Sequence, residues 1–317
     1  MDEGPLRILV TGAAGFVGQH LLAELAGRFG SRCEIVPTAR GAERGYAALD
    51  ITDAEAVRAV LADLRPTHVI NLAAIAAPVT ARRDPGAAWL LHAQAPAALG
   101  RAILSAAPEC WLLHVSSGMV YGRSGLEGQP LAEYAALAPV DEYGVTKAAG
   151  DLALGALVSE GLRCAVLRPF NHTGPGQSDA FAIPAFAAQI ARIEAGLDEP
   201  VLRVGNLSAK RDFLDVRDVV RAYALVVERC AATAPGSVFN VASGTAVRMD
   251  EILGMLLSQS SRKIAVEGDP ARMRPSEVAS ICGDATRLKA ATGWSQLIGH
   301  AQMLGDVLKE YRRDLRR

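Results

Sequence analysis

Three side chains in this sequence have the types and spacing to move a proton and to bind a carbonyl oxygen. Tyr143 and Lys147 are four residues apart, which places both on one face of a helix. A free tyrosine ionises at a pH of about 10. An ammonium one turn away favours the phenolate and lowers that value, which would suit Tyr143 to exchange a proton near neutral pH. Ser117 lies upstream in Val115-Ser116-Ser117-Gly118-Met119-Val120-Tyr121-Gly122, directly after an apolar run. If that run is a strand of a doubly wound sheet, its carboxyl end lines the ligand crevice. The Ser117 hydroxyl and the Tyr143 phenol would then meet on one substrate oxygen.

The elements needed to hold these groups are visible in the pattern. Residues 6–11, 33–38, 67–72, 110–116 and 163–168 are short runs rich in Val, Ile and Leu, the texture of strands covered on both faces. Between them lie helical stretches at 16–29, 53–64, 86–107 and 142–160. Strand–helix–strand repetition predicts an α/β fold, a Rossmann-type doubly wound parallel sheet. After Arg168 the alternation breaks up into loops and short elements. Residues 1–168 therefore read as a dinucleotide-binding lobe, with returning segments near 211–243 that include a strand near 239–242. Residues 169–317 read mainly as a smaller lobe that closes over substrate. A C-terminal helix near 301–313 carries Met303, Leu304, Val307, Leu308 and Tyr311 at helical spacing, as a packed helix does.

The first run leads directly into Gly12-Ala13-Ala14-Gly15-Phe16-Val17-Gly18 and then a helix. Glycines so spaced serve a sharp turn, the approach of backbone to a pyrophosphate, and helix–strand packing. The helix N-terminus offers N–H groups and partial positive charge to phosphate. The second run ends in Thr38-Ala39-Arg40, with no carboxylate for the ribose hydroxyls of NAD. Arg40 would pair with the extra phosphate of NADP, so NADP is the expected cofactor and NAD the alternative. Asp50-Ile51 would border the adenine side, and Leu72, Ala73 and Ala74 are small or apolar enough for a cofactor to lie against.

Taken together, residues 11–18, 71–74, 116–122, 143–147 and 168–169 resemble an extended short-chain dehydrogenase/reductase, the NAD-dependent epimerase/dehydratase family. The resemblance covers the first 170 residues in the family's order. It implies that Ser117 binds the sugar oxygen, Tyr143 transfers the proton, and Lys147 holds the nicotinamide ribose and tunes Tyr143. It also implies a homodimer formed through two helices of the large lobe. One departure is that the family often has an Asn early in the helix after the fourth strand, where this chain has His92 or Gln94.

The second half is similar to the GDP-sugar branch of that family, above all to reductases of GDP-4-dehydro-6-deoxy-D-mannose. The similarity rests on Arg168-Pro169-Phe170-Asn171-His172-Thr173-Gly174-Pro175-Gly176-Gln177, on Val204-Gly205-Asn206-Leu207 with Arg211-Asp212-Phe213, and on Arg274-Pro275-Ser276-Glu277-Val278. By that resemblance Asn171, Arg211 and Arg274 meet the diphosphate, Asn206 and Leu207 lie near guanine, and Glu277 lies near the ribose. Arginine forks suit phosphate oxygens, and a carboxylate accepts from a hydroxyl. Residue 119 bears on the reaction. A 4,6-dehydratase needs a carboxylate beside the serine to remove a carbon-bound proton, and the thioether of Met119 is no base. The expected reaction is NAD(P)H-dependent reduction of a GDP-4-keto-6-deoxyhexose to GDP-D-rhamnose or its 4-epimer. A nucleotide-sugar 4-epimerase, a GDP-mannose 4,6-dehydratase and an idle NADP-binding regulator are the alternatives.

Bulk composition excludes other classes. The 33 basic residues balance 34 acidic ones, so there is no electrostatic ground for nucleic acid or an anionic membrane as partner. The five cysteines are scattered and never form CxxC, as in a reduced cytoplasmic protein. The histidines show no ligand spacing for a metal. The N-terminus is acidic where a secretory signal is basic. The uncharged stretches 8–23 and 85–100 are broken by Gly, Pro and polar groups and are too short to span a bilayer.

Overall fold

The computed structural model describes residues 5–41, 45–126, 128–273 and 278–316. The chain opens with β1 (Leu6–Thr11), α1 (Phe16–Phe29), β2 (Cys33–Ala39), β3 (Ala47–Ala48), α2 (Ala54–Leu64) and β4 (His68–Asn71). It continues through α3 (Pro78–Arg83), α4 (Pro85–Trp89), α5 (Ala95–Ala106), β5 (Trp111–Val115), α6 (Glu142–Ser159) and β6 (Cys164–Pro169). The second half contains β7 (Asn171–Thr173), α7 (Ala182–Glu194), β8 (Val201–Val204), β9 (Lys210–Asp215), α8 (Val216–Arg229) and β10 (Ser237–Val241). It ends with β11 (Ala246–Arg248), α9 (Met249–Leu257), β12 (Ala265–Gly268), β13 (Ser280–Ile281), α10 (Thr286–Thr292) and α11 (His300–Asp314).

The main sheet has seven strands in the order β10-β6-β5-β4-β1-β2-β3, every adjacent pair parallel. Alternation along each strand divides its side chains between two layers. Ile8, Val10, Ile70, Leu113 and Leu167 face α1 and α8 through Leu21, Leu25, Val219 and Tyr223. Leu9, Val69, Leu112 and Val166 face α2, α5 and α6 through Leu61, Ile103 and Leu157. This two-sided burial is why the strands read as unbroken apolar runs. The order reverses between β1 and β4, which opens a crevice at their carboxyl ends.

A separate core lies in the second half, where Phe186, Ile190, Leu202, Phe213, Leu253 and Leu256 pack on Met303, Leu304, Val307 and Leu308. The C-terminal helix is thus buried along its apolar stripe, as its spacing predicts. Around it β9 pairs with β11, β13 and β7, and β8 pairs with β12. The returning strand expected near 239–242 is β10, which joins β6 at the edge of the main sheet.

The helix expected at 86–107 is not continuous. Between α4 and α5 the turn Leu90–Gln94 widens to π geometry. Pro96 has no N–H to give the His92 carbonyl in a regular helix. That carbonyl turns against α6, where a Cβ on Gly150 would overlap it. Gly150 thereby lets two helix backbones touch.

Candidate active site

Ser117, Tyr143 and Lys147 come together at the carboxyl end of β5. Ser117 is buried, and its Oγ accepts from the Met119 N–H at 3.1 Å, capping the turn that follows the strand. Tyr143 sits in the first turn of α6, which Asp141 caps by accepting from Gly144 N at 2.8 Å. Such a cap stabilises a helix by about 1 kcal/mol. Lys147 is 3 % exposed, and its ammonium donates to the Val115 carbonyl at 2.9 Å.

The electrostatics correct one expectation. The Tyr143 phenol lies above its ordinary value, raised first by burial, then by the Asp141 charge, and held down only by its hydrogen bond with Ser117. Lys147 is itself pushed down to about 8 by burial, with Asp151 opposing the shift. Loss of water around the phenol outweighs the help of an ammonium one turn away.

Buried polar groups not evident in the sequence fix this centre. Arg168 pairs with Asp151 at 2.9 Å and donates to the Tyr121 hydroxyl at 3.0 Å, which donates to Asn240 at 2.7 Å. This chain ties the turn after Ser117 to β6 and β10. At the other end of the crevice Thr11 donates to Asn71 at 2.7 Å, and the Asn71 amide faces His114 Nδ1 at 3.2 Å. His172 stacks on Phe16 with centroids 6.3 Å apart, so the strand after Arg168 touches the glycine loop.

The glycine loop fits a dinucleotide. Gly12 has φ +68°, and a Cβ there would lie 2.8 Å from the Ala73 N atom. Only glycine combines that conformation with so close an approach. Gly15 is the N-cap of α1 and brings no side chain to the end of the helix, where Phe16, Val17 and Gly18 form the first turn and its N–H groups suit a phosphate. Leu72, Ala73 and Ala74 are half-buried along the facing wall. Arg40 is exposed immediately after β2. Ile51 is buried, and the Asp50 carboxylate accepts from Thr52 N and Oγ1 at 2.9 and 2.7 Å. Its value is held below the usual range chiefly by the Thr52 backbone bond.

The substrate-side residues are only partly brought together. Asn171 pairs with Phe213, two residues along β9 from Arg211, so Asn171 and Arg211 share one face of the small sheet. Asn206 is exposed, with Oδ1 taken up by Ser208 N and Oγ at 2.9 and 2.7 Å. Leu207 packs toward the second core. Arg274 and Glu277 lie outside the described residues. The backbone just before them, at Arg272, rests against Gly205. A cavity of about 620 Å³ runs between α7 and β8, lined by Gln189, Arg192, Arg203 and Arg272 among others. Ser117, Tyr143 and Lys147 take no part in its lining.

A model of the NAD dependent epimerase/dehydratase family matches residues 8–242. The chain belongs to that family. It is accordingly an NAD(P)-dependent oxidoreductase. Among curated proteins it is 34 % identical over 306 residues to GDP-6-deoxy-D-mannose reductase of Pseudomonas aeruginosa, covering 96 % of this chain and 97 % of that one. The solved structure of RMD from Pseudomonas aeruginosa complexed with NADPH superposes with a TM-score of 0.85 at 32 % identity, covering 98 % of each chain. UDP-glucose 4-epimerase of Thermus thermophilus in complex with NAD superposes at 0.82 with 26 % identity over 97 % of this chain and 99 % of that one. Among the described residues no helix is long and apolar enough to cross a membrane.

Proposed function

We propose that this enzyme reduces the 4-keto group of GDP-4-dehydro-6-deoxy-D-mannose, giving GDP-D-rhamnose or its 4-epimer. The observation that carries the reading is a Ser117–Tyr143–Lys147 centre with Met119, not a carboxylate, beside the serine. The extent of similarity to GDP-6-deoxy-D-mannose reductase supports the choice of sugar. A reduced nicotinamide held by residues 12–18, Leu72, Ala73 and Ala74 would supply the hydride to carbon 4. Tyr143, kept neutral by burial, gives its proton to the emerging alkoxide. Ser117 and Tyr143 direct hydrogen bonds at that oxygen, which stabilise the developing charge. Lys147 holds the nicotinamide ribose. NADPH is preferred through Arg40, Asp50 and Ile51 border the adenine, Asn171, Arg211 and Arg274 take the diphosphate, Asn206 and Leu207 lie by guanine, and Glu277 binds the ribose.

The enzyme works in the cytoplasm as a homodimer. Trp89, Leu90, and Val145 and Leu152 on α6 are exposed apolar side chains, and Trp89 Nε1 bonds Glu142 at 2.6 Å across α4 and α6. Apolar groups so placed suit a self-complementary helix interface. Oxidation of NADPH followed by absorbance tests the reaction, with GDP-4-keto-6-deoxymannose, a dTDP-4-keto sugar and Tyr143→Phe in parallel. Consumption with the GDP sugar alone, lost in the variant, supports the reading. No consumption with either sugar overturns it and turns attention to a 4-epimerase, recognised by tightly held NAD.

A further inference from the structure

His92 is wholly buried within the π turn between α4 and α5. Its Nε2 lies 3.0 Å from the Ile75 N atom, and its Nδ1 lies 2.8 Å from Thr146 Oγ1. Nε2 also lies 3.1 Å from the Ile75 carbonyl, but the Thr146 hydroxyl spends its one proton on a backbone carbonyl, so the ring proton sits on Nδ1, donating to Thr146, and Nε2 accepts from the Ile75 N–H. The Thr146 hydroxyl in turn donates to the Glu142 carbonyl at 2.8 Å and approaches that of Tyr143 at 3.1 Å. The His92 ring also meets the Tyr143 ring edge-on, centroids 5.4 Å apart and planes at 82°. Ile75 belongs to the same loop as Ala73, which seats against Gly12. One imidazole thus spans from the wall of the glycine turn to the first turn of α6.

We propose that His92 is a positioning residue for Tyr143: by joining the Ile75 backbone to Thr146 it holds that loop and the first turn of α6 at one separation, and its ring fixes the plane of the phenol. The pair lies among Lys147 on α6, Asp141 at the cap of that helix, His114 on β5, Ser117 in the turn that follows, and Tyr223 on α8. Burial first, and then the Lys147 charge, push the imidazole down to about 3, so it stays neutral and adds no charge beside Lys147.

The test compares His92→Phe, which fills the space without either bond, with His92→Asn, whose amide sits where Nδ1 does and can restore the bond to Thr146. Thr146→Val cuts the same link from the other side. Protein labelled with ¹³C at the tyrosine Cζ is examined at neutral pH, with Tyr143 assigned from Tyr143→Phe. Turnover of GDP-4-keto-6-deoxymannose and NADPH affinity, read by its fluorescence, are measured alongside. In His92→Phe the Tyr143 signal moves while the other five tyrosines keep theirs. Its kcat falls roughly tenfold to a hundredfold, as displacement of a reacting group does, with KM held, and His92→Asn recovers part of both changes. An unmoved Tyr143 signal with native kcat overturns the proposal. So does a loss of kcat that only tracks the folded fraction. Only the turnover arm rests on the reductase reading. If the native enzyme leaves the sugar unreduced, that reading fails and the Tyr143 signal alone decides. If His92→Phe does not fold, Thr146→Val is read in the same two ways.

Discussion

The Lys147 ammonium donates to the Val115 carbonyl at 2.9 Å, two residues before Ser117. This bond ties α6 to the strand end that leads to the serine, so the two sides of the proposed carbonyl site are held by one buried charge. Burying that charge is unfavourable, as the fall of Lys147 from 10.5 to about 8 records.

Lys147→Met is therefore expected to fold more stably than the native enzyme while losing activity. Relief of the buried charge, less the lost hydrogen bond, amounts to about 1–3 kcal/mol, read as a higher denaturant midpoint. The sign follows from proton linkage. Between about 8 and 10.5 the unfolded lysine keeps a proton that the folded one has released, so native stability rises with pH across that window. The variant should lack that rise. Turnover should fall by roughly a hundredfold or more.

The pH dependence of reduction should be one-sided. Tyr143 lies above its ordinary value and is protonated throughout the neutral range, ready to act as an acid. Its partner Lys147 releases its proton at about 8. The rate should stay level below that point and decline as pH rises through it. A rate that climbs between pH 7 and 9 would contradict the assignment of Tyr143 as proton donor.

Arg40→Ser should weaken NADPH binding by about tenfold, the loss of one exposed charge-assisted phosphate contact, and leave NADH affinity nearly unchanged. Fluorescence titration with each cofactor measures both. Equal losses would mean that Arg40 does not read the extra phosphate.

Glu194 is a stability group away from the crevice. Arg312 donates to it at 2.7 and 2.8 Å, and Ser260 and Ser261 bond it as well. These contacts, Arg312 first, hold its carboxyl down to about 2 from 4.5. Its contribution is present above the unfolded value and lost as pH falls through the folded one. Glu194→Gln should cost about 1–2 kcal/mol at neutral pH after allowance for solvent screening. The gap should narrow as pH falls from about 4.5 to 2, as urea denaturation at each pH would reveal.

Much of this protein was legible from local pattern alone. The apolar runs that became β1, β2, β4, β5 and β6, the glycine turn, and the helix bearing Tyr143 and Lys147 all follow from periodicity and spacing, which neighbouring residues determine. The break between α4 and α5 had a local sign in Pro96, but its consequence was not local. The freed His92 carbonyl needed Gly150, and the imidazole needed Ile75 and Thr146. The small strands around β9 were not legible, because a three-residue strand such as β7 carries too little pattern and takes its partner from residues 213–215.

By itself the sequence determined which side chains could do chemistry here and on which kind of element each would stand. Tertiary structure decided their charge states and their neighbours. The spacing of Tyr143 and Lys147 implied a phenol eased toward ionisation. The folded chain instead withdraws water from both, raising the one and lowering the other. Desolvation depends on every segment that closes over a group, and those segments come from all along the chain.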